Sequence, residues 1–210
     1  AGVKIQPDRP FPDTGDKGLF ICTAELLPLS HPTVETGPPQ PPVIELARVT
    51  DRGIRESHMI DVSQLVIEKD KSVIGVFADN VVVDYDGNLF DACSYAATMA
   101  LLSSKTPQWN WTDEKPVLAE GEDIQLPIMT IPVSVTMAKI GNHIVVDPNG
   151  DEWACMDARV TITSDSDGNI CALQKGGNNG FTLDEIVKCG ETSVKVGAQI
   201  REKLKAAQQG

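Results

Sequence analysis

Positive charge is in short supply in this chain: 18 lysines and arginines stand against 30 aspartates and glutamates, a formal net charge of -12. Such a surface repels polyanions at long range and argues against a free-standing nucleic-acid binder held by bulk charge. Any contact with nucleic acid has to be local, a few arginines in a cleft completed by a more basic subunit. Long apolar runs are missing as well. No stretch approaches the roughly 18 uninterrupted apolar residues of a helical membrane span, and the start lacks a charged region followed by an apolar one. The expectation is a soluble, unexported, cytoplasmic chain. A disulfide framework is also absent: Cys22, Cys93, Cys155, Cys171 and Cys189 are odd in number, widely spaced and mostly set in apolar runs, which reads as reduced thiols. The three histidines, His31, His58 and His143, lie far from one another and from any C-x-x-C pair, so no zinc site and no other metal site is expected.

What is present is length enough for one well-filled domain of two lobes, the 210 residues burying roughly 70% of the unfolded surface. The chain begins without Met in an alternating segment, Ala1 to Ile5, expected to be the interior of a domain with residues upstream. Pro7 to Gly18 reads as a loop and Leu19 to Leu26 as a strand. A Pro-rich loop from Pro28 to Pro42 leads into a helix starting near Val43. Leu65 to Ile67 and Val73 to Asp84 read as buried strands, Asp86-Gly87 as a hairpin-type turn, and Phe90 to Leu102 as a helix whose small residues pack on a sheet. Ser103 to Gln125 is polar and reads as a connection. Beyond it, Ile128 to Ile140 pairs with His143 to Asp147, Arg159 to Ser164 pairs with Ile170 to Gln174, and a helix runs from Thr182 to about Gln208 behind a Thr182/Glu185 capping box. The division is 1-105 for a first lobe, 106-126 for the connection and 127-210 for a second lobe, in an α/β or α+β layered fold.

Arg48, Arg52 and Arg55 follow the Pro-rich loop at i, i+4, i+7. At about 100° per residue their guanidinium groups fall within roughly 60° of arc. Leu46, Ala47, Val49, Gly53 and Ile54 take the far side, so one face is anchored and the other presented. Glu45 and Asp51 stand at ion-pairing distance along the helix from Arg48 and Arg55, and the plain alternative is a solvated face tied by intrahelical pairs contributing a few tenths of a kcal/mol each. Other motifs read as scaffolding. Asp84-Tyr85-Asp86-Gly87, Asp147-Pro148-Asn149-Gly150-Asp151 and Asp165-Ser166-Asp167-Gly168 lack the terminal glutamate of a calcium loop and sit where turns are needed. Gly176-Gly177-Asn178-Asn179-Gly180 lacks the Lys-Ser/Thr of a P-loop and reads as a flexible linker. Ser94 near Asp91 has no nucleophile elbow and no histidine close by.

Several segments together carry a family resemblance: Pro12-Asp13-Thr14, Ala24-Glu25-Leu26-Leu27-Pro28-Leu29, Gly37-Pro38-Pro39, the helix segment from Ile44 to Ser57, Gly87-Asn88-Leu89-Phe90-Asp91-Ala92-Cys93, and Val145-Val146-Asp147-Pro148. From near residue 1 to the last helix the chain resembles the archaeal exosome ring subunits related to RNase PH, and more narrowly the non-catalytic one of the two that alternate in that ring. The resemblance implies two β-α lobes around mixed sheets, a hetero-hexameric ring built as a trimer of dimers with a catalytic RNase PH-like subunit, RNA-binding cap subunits on that ring, and single-stranded RNA threaded through it. Active relatives cleave RNA from the 3′ end with phosphate as the attacking group, and a divalent ion such as Mg²⁺ assists. In them the segment equivalent to Asp91-Ala92-Cys93-Ser94-Tyr95 has glycine at the third place and arginine at the fifth, forming a phosphate pocket. Here Cys93 and Tyr95 stand there, on either side of Ser94. The two catalytic aspartates, six residues apart, correspond to Trp153 and Arg159, with Asp157 close enough in the chain that a shift of a few residues would restore one carboxylate.

The resemblance therefore implies no catalytic residue and no cofactor in this chain, phosphate and Mg²⁺ being used by the catalytic partner. It also implies RNA-phosphate contacts from Arg48 and Arg52, with Arg55 either a third contact or a pair of Asp51. Two other readings stay open on the residues alone: a phosphate-dependent 3′-to-5′ exoribonuclease with a displaced carboxylate pair, and a protein-only scaffold whose arginines meet an acidic partner.

Overall fold

An 11-residue strand organises the first half of the computed structural model, which describes residues 1–208. β1 (Gly2–Asp8), β2 (Leu19–Leu26), β3 (Val66–Glu68) and β4 (Ser72–Val82) form a mixed sheet of order β1-β4-β2, in which β1 and β3 run antiparallel and β2 parallel to β4. Val73, Val76 and Ala78 of β4 are fully buried, as a strand covered on both faces requires. The parallel pairing of β2 with β4 needs a crossover, and the Pro-rich loop together with α1 (Pro41–Glu56) supplies it. Pro41 and Pro42 occupy the first helical positions, where a missing N–H costs nothing, and fix the start of α1 two residues before the expected one.

α2 (Leu89–Leu102) follows β4 directly, so Asp86-Gly87 does not make the expected hairpin turn. Gly87, at φ 89°, instead turns the chain into a helix and forms an antiparallel bridge with Asn149, and a Cβ there would strike the Pro148 carbonyl. The polar stretch after α2 is not a bare connection. β5 (Lys105–Thr106) pairs with β8 (Ile124–Gln125), and between them β6 (Trp109–Thr112) and β7 (Lys115–Leu118) make a hairpin turning at Asp113 and Glu114, both at positive φ. Strands of two to four residues are too short for periodicity to reveal.

The second sheet is an antiparallel meander of order β10-β9-β11-β12, from β9 (Val133–Ile140), β10 (His143–Val146), β11 (Ala158–Ser164) and β12 (Ile170–Gly177). β9 starts five residues later than expected, because Ile128 bridges to Ile60 in the first half. The Asp147–Asp151 turn proves to be the entry to a short helix, α3 (Gly150–Cys155), with a reciprocal capping box between Asn149 and Glu152. The expected linker is not one: Gly176 and Gly177 end β12 and pair with β11. α4 (Leu183–Gln208) packs on β9 and β11, and its expected capping box is formed, Thr182 N–H donating to Glu185 at 2.7 Å and Glu185 N–H to the Thr182 hydroxyl at 3.3 Å. The Lys139 ammonium beside Glu185 holds that carboxyl below its usual range.

α1 and α2 lie where the halves meet. α1 contacts β2 and reaches β12, while α2 contacts β4 and β9. Leu46, Val49, Phe90, Cys93, Ala24 and Val82 form the apolar cluster between them. The arginine helix is therefore wedged between two sheets with only one face left over, a precondition for presenting charge.

Candidate nucleic-acid interface and the pocket behind it

Leu46, Val49, Thr50, Gly53 and Ile54 are the buried residues of α1, and Arg48, Arg52 and Arg55 are exposed on the opposite face. The 3.6-residue repeat thus places the stripe as expected. The three arginines line a concavity of about 380 Å³ with Asp51, Glu56 and Cys22. They are not equivalent. Arg55 Nη2 lies 2.8 Å from Asp51 Oδ2 and also donates to the Phe20 carbonyl at 3.3 Å, so its charge is compensated within the helix. Burial keeps the Asp51 carboxyl above its ordinary range despite Arg55. Among the described residues, Arg48 and Arg52 have no carboxylate within 4.0 Å. One turn apart on a rigid helix, two such guanidinium groups can take adjacent oxyanions in charge-assisted hydrogen bonds.

The expected Glu45–Arg48 pair does not form. Glu45 turns the other way, across the lobe boundary, where its Oε2 accepts from Arg159 Nη2 at 2.6 Å and its Oε1 from Gln174 Nε2 at 3.1 Å. Those partners are 114 and 129 residues away, and no spacing rule reaches that far. Arg159, on β11, is 5% exposed. Its guanidinium carbon sits 4.2 Å from the Phe90 ring centroid and 5.5 Å from that of Trp153, and Phe90 and Trp153 stack at 6.1 Å. Beneath it lies Gly176, where a Cβ would fall 2.7 Å from Nε and Nη2. A buried cation is tolerable because a carboxylate and two aromatic faces replace its water.

These groups wall a mostly apolar cavity of about 140 Å³ with Leu26, Val43, Leu46, Tyr85 and Asn88. Next to it, Asp91 of α2 is 4% exposed. It accepts from Thr136 N–H at 2.9 Å, from the Thr136 hydroxyl at 2.7 Å and from Asn88 Nδ2 at 2.9 Å, while Asn88 also donates to Asp147 at 2.6 Å. Burial pushes the Asp91 carboxyl up to about 6 against the pull of those donors. Ser94 donates to Ser134 at 3.1 Å, and the Tyr95 hydroxyl donates to the Ser134 carbonyl at 2.9 Å. Burial raises the Tyr95 phenol above its ordinary value and the Cys93 thiol to about 11, so neither ionises near neutrality. Asp157 is spent on turns, accepting from Gly141 N–H at 2.7 Å and Asn179 at 3.2 Å. Cys93 and Trp153 thus pack in the apolar cluster between α1 and α2, Tyr95 packs against the second sheet, and Ser94, Tyr95 and Arg159 each donate an internal hydrogen bond. Among the described residues no group of three or more His, Cys, Asp or Glu could hold a metal ion.

Two models of the 3′ exoribonuclease family match the chain, domain 1 over residues 1–107 and domain 2 over residues 130–196. The chain belongs to this 3′ exoribonuclease family. Several of its relatives within that family are archaeal. A protein of Thermoplasma volcanium described as exosome complex component Rrp42 is 48% identical over 203 residues, covering 97% of this chain and 75% of that protein. One of the same description from Thermococcus kodakarensis is 48% identical over 206 residues, with the same coverage. Among solved structures, a chain of the Archaeoglobus fulgidus exosome with RNA bound to the active site superposes with a TM-score of 0.88 at 45% identity, covering 96% of this chain and 77% of that one. The rice Rrp46 structure shares the fold alone, at a TM-score of 0.69 and 12% identity. The two-lobe RNase PH-like fold and the resemblance read from the residues are both borne out. No helix among the described residues is long and apolar enough to cross a membrane.

Proposed function

We propose that this chain is a non-catalytic ring subunit of the archaeal RNA exosome, which holds single-stranded RNA while a catalytic RNase PH-like paralogue degrades it from the 3′ end by phosphorolysis. The observation that carries this reading is the contrast inside one chain: Arg48 and Arg52 stand exposed without a carboxylate partner, whereas the places of the phosphate pocket and the catalytic acids hold groups committed to internal bonds. A phosphorolytic site needs cationic donors for the attacking phosphate and a carboxylate to hold a metal or pass a proton. Tyr95 supplies no positive charge. Arg159 places a cation where an acid is needed, and Glu45 already neutralises it.

The net charge of -12 fits this role, because a basic neighbour supplies the long-range field and Arg48 and Arg52 supply two local contacts. The partners are the catalytic subunit, in a ring of three heterodimers, and the RNA-binding caps. Phosphate and Mg²⁺ are used at the partner's site, next to which α1 is presented, and the assembly works in the cytoplasm.

Two measurements test the proposal. Incubated alone with poly(A), phosphate and Mg²⁺, the protein is expected to release no nucleoside diphosphate; release would make it an enzyme in its own right. In rings assembled with the catalytic relative, Arg48→Glu with Arg52→Glu is expected to lower RNA affinity by about 100-fold while the ring still forms, and to flatten the log-log salt dependence by about 1.4, two phosphates at roughly 0.7 each. Unchanged affinity would leave a protein-only scaffold.

A further inference from the structure

Arg52 differs from Arg48 in one respect that its exposure conceals. Its Nη1 donates to Gln174 Oε1 at 3.3 Å, and Gln174 Nε2 donates in turn to Glu45 Oε1 at 3.1 Å. Glu45 is anchored by Arg159, which is itself fixed between Gly176 and Phe90. Among the described residues, the Arg48 side chain donates no hydrogen bond.

We infer that Gln174 is a positioning residue for RNA binding, holding Arg52 in register through the chain Arg159–Glu45–Gln174–Arg52. This deepens the reading of Arg52 as a phosphate contact and rests on it. The chain has a single consistent polarity. Glu45 and Arg159 fix a carboxylate at one end, so the Gln174 amide must turn its NH₂ to Glu45 and its oxygen to Arg52; reversed, it would set donor against donor and acceptor against acceptor. Residue type matters equally. A glutamate at 174 would neutralise Arg52 and repel Glu45, and an apolar residue would leave a long flexible side chain to find its own geometry. Glutamine offers an acceptor without spending the positive charge, and it occupies one of Arg52's five donors, leaving four for an oxyanion. The link also crosses the lobes, since Glu45 and Arg52 belong to α1, Arg159 to β11 and Gln174 to β12. The pocket that lost its acids thereby acts as the abutment for the surface that presents charge.

The test is a double-mutant cycle on assembled rings with fluorescein-labelled oligo(A), together with NMR of the Arg52 Nε–Hε group in the uncomplexed chain. Gln174→Met is expected to weaken binding about threefold, as loss of one solvent-exposed hydrogen bond to Arg52 does, with an unchanged salt slope because Arg52 keeps its charge. Arg52→Ala is expected to weaken binding further and flatten the slope by about 0.7. Gln174→Met in the Arg52→Ala background should then cost nothing more. Gln174→Glu should weaken binding beyond Gln174→Met and flatten the slope. In Gln174→Met the order of Arg52 Nε–Hε should fall while the remaining amide spectrum stays native. An additive double mutant, or unchanged Arg52 order, overturns the positioning role. Wild-type affinity and slope in Arg52→Ala rings overturns the phosphate contact itself, and the NMR measurement then tells that failure from failure of the relay.

Discussion

Arg48 and Arg52 face solvent with no acid within 4.0 Å, whereas Arg159 and Arg201, side chains of the same type in the same chain, are 5% and 4% exposed and each donates to an internal acceptor, although Arg159 Nη1 is buried without a hydrogen-bond partner. Arg201 donates to the Ile131 carbonyl at 2.9 Å and to Ser164 Oγ at 2.7 Å, closing α4 over the second sheet, and Arg159 donates to Glu45. A guanidinium taken from water costs several kcal/mol unless carboxylates, carbonyls or rings replace its hydration. The inner pair is therefore structural, and its removal opens a hole in a network. The outer pair keeps its water, which leaves both guanidinium groups available to the phosphates proposed as their partners. The number of arginines says little about nucleic-acid binding, and their state of compensation says much.

The strongest way to break this comparison is to truncate the buried Arg159–Glu45 pair and the two exposed arginines in turn. Arg159→Ala leaves Glu45 without its main partner and empties the space beneath Phe90 and Trp153, and Glu45→Ala leaves a buried cation unpaired; each is expected to cost about 3 kcal/mol in urea unfolding. Arg48→Ala and Arg52→Ala should stay within about 0.5 kcal/mol, as exposed side chains do. Equal costs in the two sets would erase the distinction.

Asp91 sharpens it from the acidic side. Its folded pKa of about 6 stands above the ordinary 3.8, so between those values the native state holds a proton that the unfolded chain has released. Its contribution to stability is therefore full below about pH 4, falls as pH rises toward 6 and is flat above, a span of up to about 3 kcal/mol at 1.36 kcal/mol per pH unit. Asp91→Asn removes this dependence, so the stability of the wild type relative to the variant should be greater at pH 4 than at pH 7. A difference that does not change with pH would refute the burial account.

A smaller effect is expected from Gly176→Ala, whose methyl group would crowd the Arg159 guanidinium. The cost is about 1–2 kcal/mol, and Trp153 fluorescence should shift as Arg159 moves off Phe90. Smallest in energy is the thiol pattern. Burial holds Cys22 at about 12 and Cys93 at about 11, so at pH 8 a thiol reagent should label exposed Cys155 first, and these two only on unfolding.

Where local rules apply, the one-dimensional reading succeeds. The stripe of Arg48, Arg52 and Arg55 follows from helical repeat, the Thr182/Glu185 cap from a four-residue pattern, and the hairpins of the second sheet from turn residues between apolar runs. It fails where a choice depends on a distant segment. Asp86-Gly87 looks like a hairpin because it has hairpin residues, yet Asn149 from the second half takes its open edge. Gly176 looks slack because glycines are usually permissive, yet its missing Cβ is the space Arg159 fills. Glu45 looks like a helix partner of Arg48 because i,i+3 pairs are near neighbours, yet a buried cation is a stronger claimant than a solvated one.

By itself, the amino-acid order determined which residues α1 buries and which it presents, and that no bulk positive field exists, because helical period and charge count are properties of the chain. Only the tertiary structure decided how each charge is used. Compensation depends on what lies within a few ångströms, and the partners of Glu45 and Arg52 come from strands more than a hundred residues away in the chain.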